Sequence, residues 1–346
     1  MRKIFILFDV PDNQNDKEWL IAGLRKQYPG RVEPVSIKHV LSKMIMLQGG
    51  WYRLKAYIII IHQCIRALIK ANRGDVVICW FSTTGKIFNF ISRVFGNRPN
   101  IISMNWLNPG GPQKGFHYNL ARFAATNKRC TIVVNTPSTT ELWKKHLKCN
   151  GMDIMVVPDV FDDTDSFCPI KNSFEKICFS GGYGNRDWSL LMRVAYRMPD
   201  WTFICVAQKN DFESKVSVVP QNVKMHYNIG EKEYYDLMKS SSVVILPIIG
   251  NTISGLINII KAAQYGIICC VSQTDSTLQY FSEENKDLLM QASDEKWIER
   301  LNSIGSMTSQ EYYHKTECFQ SFIQKTYSPA NAIQILKSRI DYLIGQ

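Results

Sequence analysis

The chain has 346 residues, 45% of them hydrophobic and 21% charged, a balance that excludes a disordered or fibrous protein and gives length for two ordinary domains. The formal net charge is +11, unevenly placed: residues 1–160 hold 23 Lys and Arg against 9 Asp and Glu, and the remaining 186 hold 18 against 21. A basic half and a near-neutral half imply two domains with different partners, the bland alternative being a solvated basic surface.

The first apolar stretch, "MRKIFILFDVPDN", reads as a strand and not a signal peptide, because the run is short and Asp9 interrupts it. After "KIFILFD" come a helix over about 16–28, the strand "VEPVSI", and a long helical stretch over about 41–71, broken near Gly49 and Gly50. "DVVICWF", a helix over about 84–96, "NIISMNWL", a helix over about 115–127 and "CTIVVNT" follow. Ser138, with Glu141 three residues on, reads as the capping box of the next helix, and "DIMVVPD" ends the half. No window holds eighteen apolar residues; His62, Gln63 and Arg66 break the nearest, "AYIIIIHQCIRALI", so no membrane span is expected.

Residues 160–174, "VFDDTDSFCPIKNSF", are rich in turn formers, and the linker is placed at 162–174. The alternation then restarts: "KICFSGG", a helix over about 187–197, "WTFICVA", "VKMHYNI", a helix over about 231–240, "SVVILPII", the helix of "LINIIKAAQY", "GIICCVS" and "DLLMQA". Helices over about 294–304, 309–326 and 329–344 close the chain. Strands alternating with helices predict two doubly wound α/β domains with parallel sheets, whose ligands bind beyond the carboxyl ends of the strands, in a cleft between domains that face each other. The ten cysteines form no C-x-x-C pair and no zinc-spaced group. Those in "DVVICWF", "KICFS" and "GIICCVS" suit reduced core thiols of a cytosolic protein.

Four stretches carry candidate chemistry. In "FSGGYGNRDW" a strand runs through Gly181, Gly182 and Gly184 into a helix with Asp187 as N-cap. Glycines let an anion approach the backbone, the helix N-terminus offers free N–H groups, and Arg186 adds a phosphate donor. The alternative is a tight turn with a surface arginine. The spacing matches neither a dinucleotide fingerprint nor a P-loop. In "GNTISGLINIIKAAQ" the amides near Thr252, Ser254 and Gly255 form a second anion-facing helix start. Leu256, Ile259, Ile260 and Ala263 would pack on the sheet. Ser254, Asn258 and Lys261 would face a cleft or solvent, with Lys261 reaching water in the plainest case. "NWLNPGGPQKGFHYN" offers Asn105, Asn108, Lys114 and His117 as acceptor-side or acid/base groups, against a plain surface histidine at a helix start. Residues 38–73 interleave basic with aromatic and aliphatic residues, suiting an anionic membrane surface, a nucleic acid, or a packed helix with a charged outer face.

"FSGGYGNRDWSLLMRVA" and "SVVILPIIGNTISGLINIIKAAQYGIICCVSQTDSTLQYF" resemble the donor-binding domain of family 4 glycosyltransferases of the GT-B fold. "CTIVVNTPSTTELWKKHL" with "MVVPDVFD" is similar to the end of their N-terminal domain. The resemblance implies domains over 1–161 (acceptor side) and 175–328 (nucleotide-sugar side), with the helix of 329–346 returning to the first. It implies Arg186 as the basic phosphate-binding residue and Thr252, Ile253, Ser254 and Gly255 as part of the donor loop, with Asn258 and Lys261 following. The family's two glutamates, eight apart, are absent: Ile253 and Lys261 stand in their places. Lysine only donates, so it cannot accept from ribose hydroxyls, and phosphate or a sugar carboxylate is the partner it suits.

The resulting expectation is a retaining, metal-independent glycosyltransferase using a nucleotide-sugar co-substrate and no other cofactor. Arg186 and His117 are its catalytic candidates, and Asn105, Asn108 and Lys114 lie on the acceptor side. The acceptor would be a saccharide or lipid-diphosphate-linked glycan in bacterial surface polysaccharide synthesis. The protein would be cytoplasmic, peripheral at the inner membrane face through 38–73. The alternatives are a catalytically degenerate GT-B module that binds a glycan or partner, and a nucleic-acid-binding protein using the basic half. The main reading expects no nucleic acid.

Overall fold

The computed structural model describes residues 1–8, 19–37, 50–96, 99–107, 109, 113–161, 167–171, 173–182, 184–250 and 255–345. They form two compact units: Met1–Pro158 with Pro329–Gln346, and Asp159–Ser328.

In the first unit six strands, β1 (Ile4–Leu7), β2 (Val32–Val35), β3 (Val76–Cys79), β4 (Asn100–Ser103), β5 (Cys130–Val134) and β6 (Ile154–Val156), pair in parallel in the order β2-β1-β3-β4-β5-β6. Every residue of β1, β3, β4 and β5 is buried. That is the burial expected of parallel strands covered on both faces, and it explains their unbroken apolar runs. Helices α1 (Trp19–Gln27), α2 (Gly50–Lys70), α3 (Ser82–Val94), α4 (Phe116–Ala125) and α5 (Pro137–Leu147) connect them. Helices α2 to α5 stand side by side and share one core with Phe5, Leu7, Val77, Ile101 and Ile132. The last helix, α12 (Pro329–Gly345), packs on α1 and β3; Asn100 donates to the Leu343 carbonyl and Tyr28 to Asp341.

In the second unit β7 (Ile177–Gly181), β8 (Thr202–Ala207), β9 (Val223–Tyr227), β10 (Val243–Leu246), β11 (Ile268–Ser272) and β12 (Leu289–Met290) are ordered β12-β11-β10-β7-β8-β9, again all parallel. The helices are α6 (Trp188–Tyr196), α7 (Lys209–Glu213), α8 (Glu231–Ser240), α9 (Leu256–Gln264), α10 (Asp294–Gly305) and α11 (Ser309–Thr326). Strand order reverses direction at β1/β3 in one unit and at β7/β10 in the other; in open α/β sheets such reversals open a crevice at the strand carboxyl ends.

One expectation is corrected. The N-cap of α5 is Thr136, not Ser138: its side chain accepts from the Thr139 amide, and Pro137 takes the first helical position, where its missing N–H costs nothing. The described part of the expected linker at 162–174 is docked on the second unit. There the Cys168 amide donates to the Gln264 carbonyl at 2.7 Å, Lys171 Nζ donates to the Ser241 carbonyl at 2.9 Å, and Ile170 joins the core.

Gly85 fixes how closely α3 approaches β4. A Cβ there would lie 1.9 Å from Ser103 Oγ and 3.4 Å from its Cα, and Ser103 Oγ is already held by Trp106 Nε1–H at 2.7 Å. Gly85→Ala should therefore lower stability by about 1–3 kcal/mol through overpacking. A urea unfolding midpoint equal to the parent's would mean that this contact yields freely.

Candidate functional site

The reversal point of the second unit is where its two distinctive loops meet. β7 ends at Gly181, and the chain turns through Gly182 (φ +136°), Gly184 (φ +75°) and Asn185 (φ +51°). Such angles favour glycine and, after it, asparagine. Asp187 then caps α6, accepting from the Leu190 amide at 2.9 Å. The segment after β10 runs antiparallel to this turn: the Asp187 amide donates to the Pro247 carbonyl and the Ile249 amide to the Asn185 carbonyl, each at 2.9 Å, with Arg186 opposite Ile248. The Ile248 amide is tied to Ser272 Oγ at 2.8 Å, so β11 also holds the pair.

Arg186 is fully buried, which rules out the surface-arginine alternative. Its Nε donates to the Gly181 carbonyl at 3.1 Å. Its guanidinium fits a slot made by two glycines: a Cβ on Gly182 would come within 2.7 Å of Nη2, and one on Gly255 within 1.9 Å of Nη2 and 2.9 Å of Cζ. Burial pulls its pKa down, while Tyr234 and Cys269 act in the opposite direction.

Gly255 (φ +86°) is the N-cap of α9 and, as glycine, brings no side chain of its own to the first amides. Asn258, one turn on, donates to the Gly181 carbonyl at 3.3 Å and to Tyr234 Oη at 2.9 Å. The Gly181 carbonyl thus receives both the arginine and the asparagine. Gly181 is small for a separate reason: a Cβ there would lie 2.5 Å from Tyr234 Oη. Lys261 follows, with Nζ 5.4 Å from the Tyr235 ring centre and 5.9 Å from that of Tyr265.

Of the two directions expected for the polar stripe, a cleft or solvent, burial excludes solvent for its two described members: Asn258 is 5% and Lys261 7% exposed. α8 covers one side with Tyr234 and Tyr235, and α11 packs on the other, where Gln320 Nε2 donates to the Ala263 carbonyl at 3.0 Å. Lys261 therefore lies on tyrosine rings and does not extend to water. Thr252, Ile253 and Ser254 lie outside the described residues. Sequence reading missed Tyr234 and Tyr235; their only signal is an aromatic pair inside the otherwise polar "EKEYYDLMK".

The acceptor-side candidates belong to the first unit. His117 sits exposed in the first turn of α4, its Nε2 3.1 Å from Tyr57 Oη. It lines a cavity of about 240 Å3 with Arg53, Ala56, Tyr57, Ile60 and Thr83. Burial raises the Tyr57 pKa against the effect of Arg53. Asn105 (φ +56°) holds the turn after β4 by donating to the Trp80 carbonyl at 2.9 Å, and Lys114 is exposed. Asn108 lies outside the described residues. Lys86, not singled out by sequence, rests 4.6 Å from the Trp106 ring and 5.5 Å from that of Trp143, and burial lowers its pKa to about 8. Among the described residues no group of three or more His, Cys, Asp or Glu is arranged to hold a metal ion.

No protein-family model matches the chain, and no curated protein does. Solved structures do. HepE of Anabaena, in complex with UDP and glucose, superposes with a TM-score of 0.68 over 99% of this chain and 100% of its own, at 11% identity. A UDP-forming α,α-trehalose-phosphate synthase from Burkholderia xenovorans gives 0.68 over 99% of each chain at 9% identity. Sucrose-phosphate synthase from Thermosynechococcus elongatus gives 0.67 over 100% of each at 12%. At such identities the likeness shows the fold: two Rossmann-like units, as the GT-B fold requires.

Proposed function

We propose that the chain is a glycosyltransferase that moves a sugar from a nucleotide-sugar to a saccharide or lipid-linked saccharide acceptor. The observation that carries the proposal is the convergence of Gly181, Arg186, Gly255 and Asn258 at the β7/β10 reversal point. Such points take ligands, and a buried cation behind a helix start that opens on a glycine suits a diphosphate. HepE has been solved with UDP and with UDP-glucose, which makes UDP the first nucleotide to test.

In this reading Arg186 works as a fixed positive charge behind the backbone that faces the ligand. Its guanidinium lies against the Gly182 and Gly255 backbones, so a phosphate approaching the loop amides feels it through low-dielectric protein. Lys261, one helical turn beyond Asn258, adds to the same field. The charge that develops on the departing diphosphate is met by groups already in position, which is the economical way to stabilise a transition state. Transfer would be retaining and would need no metal, His117 would serve as an acid/base group on the acceptor side, and Asn105, Asn108 and Lys114 would contact the acceptor. Bacterial surface polysaccharide synthesis at the cytoplasmic membrane face fits the basic charge of the first half.

One observation favours a second reading, a catalytically silent glycan- or partner-binding module. Lys261, standing where the resembling family has a glutamate, is buried on Tyr235 and Tyr265.

Thermal melts with UDP-, GDP-, dTDP- and CMP-sugars should single out one nucleotide; at a hundredfold excess over Kd it adds about 2.7 kcal/mol to stability. Binding without transfer to any saccharide acceptor would favour the silent module, and no binding at all would remove the donor site. Arg186→Met should leave the fold intact, because replacing a buried charge with an apolar side chain is often neutral. In the same variant kcat/KM for transfer should fall on the order of 100-fold. Gly255→Ala, by driving a Cβ into the guanidinium, should cost both donor binding and stability. Unchanged kcat/KM in both variants would take Arg186 out of the mechanism.

A further inference from the structure

One face of the first unit has no role in the reaction above. Trp51, Leu54, Ile58, Ile61, Ile65 and Ile69 of α2 are 39% to 79% exposed. They recur three or four residues apart, so they form one strip along the helix. At about 100° per residue α2 divides into three arcs. Ala56, Ile60, Gln63, Cys64 and Ala67 are buried against the sheet. The apolar strip lies beside that arc, and Lys55, His62 and Arg66 lie on its far flank. The basic flank runs along β2, since Arg66 donates to the Ser36 carbonyl and Lys70 pairs with Glu33. α2 contains no Asp or Glu.

The strip does not end with α2. Neighbouring α3 exposes Phe90, Val94 and Phe95, and α4 begins with Phe116, 69% exposed beside the His117–Tyr57 contact. Scattered exposed apolar residues are ordinary, but a strip of this length continued on two further helices marks a surface that is covered in use. No described helix is long and apolar enough to cross a membrane, and α2 has one arc locked in the core, so the helix can only lie along a surface.

We infer that the α2–α3 face docks on an anionic lipid bilayer, with the apolar strip in the acyl boundary and Lys55 and Arg66 among the headgroup phosphates. Charge selects this occupant. A two-fold pairing of two copies would set this acid-free helix against itself, cation on cation, whereas anionic lipid neutralises it. An apolar strip flanked by Lys and Arg is the pattern of helices that lie in the interface plane. The surface belongs wholly to the first unit, so the proposal goes beyond the transfer reaction and is tested without it.

The test is sedimentation of the full chain with vesicles of phosphatidylcholine mixed with phosphatidylglycerol, and with pure phosphatidylcholine, at low and high salt. The chain should pellet with the mixed vesicles at low salt and less so at high salt. Ile61→Ser with Ile65→Ser, both exposed, should keep the parent melting temperature and lower vesicle affinity at least roughly tenfold. Lys55→Gln with Arg66→Gln should weaken binding to mixed vesicles by roughly tenfold and leave pure phosphatidylcholine unchanged. Failure to pellet with mixed vesicles at low salt would overturn the inference, as would indifference to the isoleucine pair. A dimer in light scattering that the isoleucine substitutions convert to monomer would assign the face to a second copy instead.

Discussion

The second unit is organised around one buried guanidinium. Arg186 is held by the Gly181 carbonyl on one side and lies against the Gly182 and Gly255 backbones on the other. An unscreened charge in a protein interior is costly unless hydrogen bonds and geometry compensate it, so everything around it is constrained. Gly182 and Gly255 have no room for a Cβ, the turn after β7 must pair with the segment after β10, and Asn258 must share the Gly181 carbonyl. The glycines of this unit are thus spacers for an arginine as much as turn formers.

The helix of 256–264 combines apolar residues with the polar Asn258 and Lys261. A greasy helix with a polar stripe usually turns that stripe to water. Here the stripe turns inward, to Tyr234, Tyr235 and Tyr265, whose rings and hydroxyls receive it. A polar group can be buried where hydrogen bonds or aromatic faces replace its water, and α8 supplies both. The first unit is built differently. Its basic charge stays at the surface, and its half-buried Lys86 rests on Trp106 and Trp143 without a carboxylate in contact among the described residues.

Much of the fold was legible because parallel strands buried on both faces read as unbroken apolar runs: "KIFIL", "VVIC", "SVVILP" and "GIICCVS" fall where β1, β3, β10 and β11 form. The Asp187 cap was legible too, since a short acceptor side chain before an apolar run has one strong local use. The Thr136 cap was not: two hydroxyl residues flank Pro137, and only the helix's actual first turn decides between them. α7, five residues long, has no amphipathic period to read.

Of the site, the sequence by itself determined the glycine turn, the arginine beside it and the second helix start. Glycine at a strand end is a local conformational demand, visible within a few residues. It also determined the division of charge between the halves, which is a property of composition. Only the tertiary structure decided which way side chains point. That Lys261 is covered depends on Tyr235, 26 positions away along the chain, and on α11. That Arg186 is buried depends on Gly255, brought to it by the parallel pairing of β7 with β10. That α2 turns a strip of isoleucines outward depends on which of its arcs the sheet occupies, because a helix with apolar residues on two faces can bury only one of them against a single sheet.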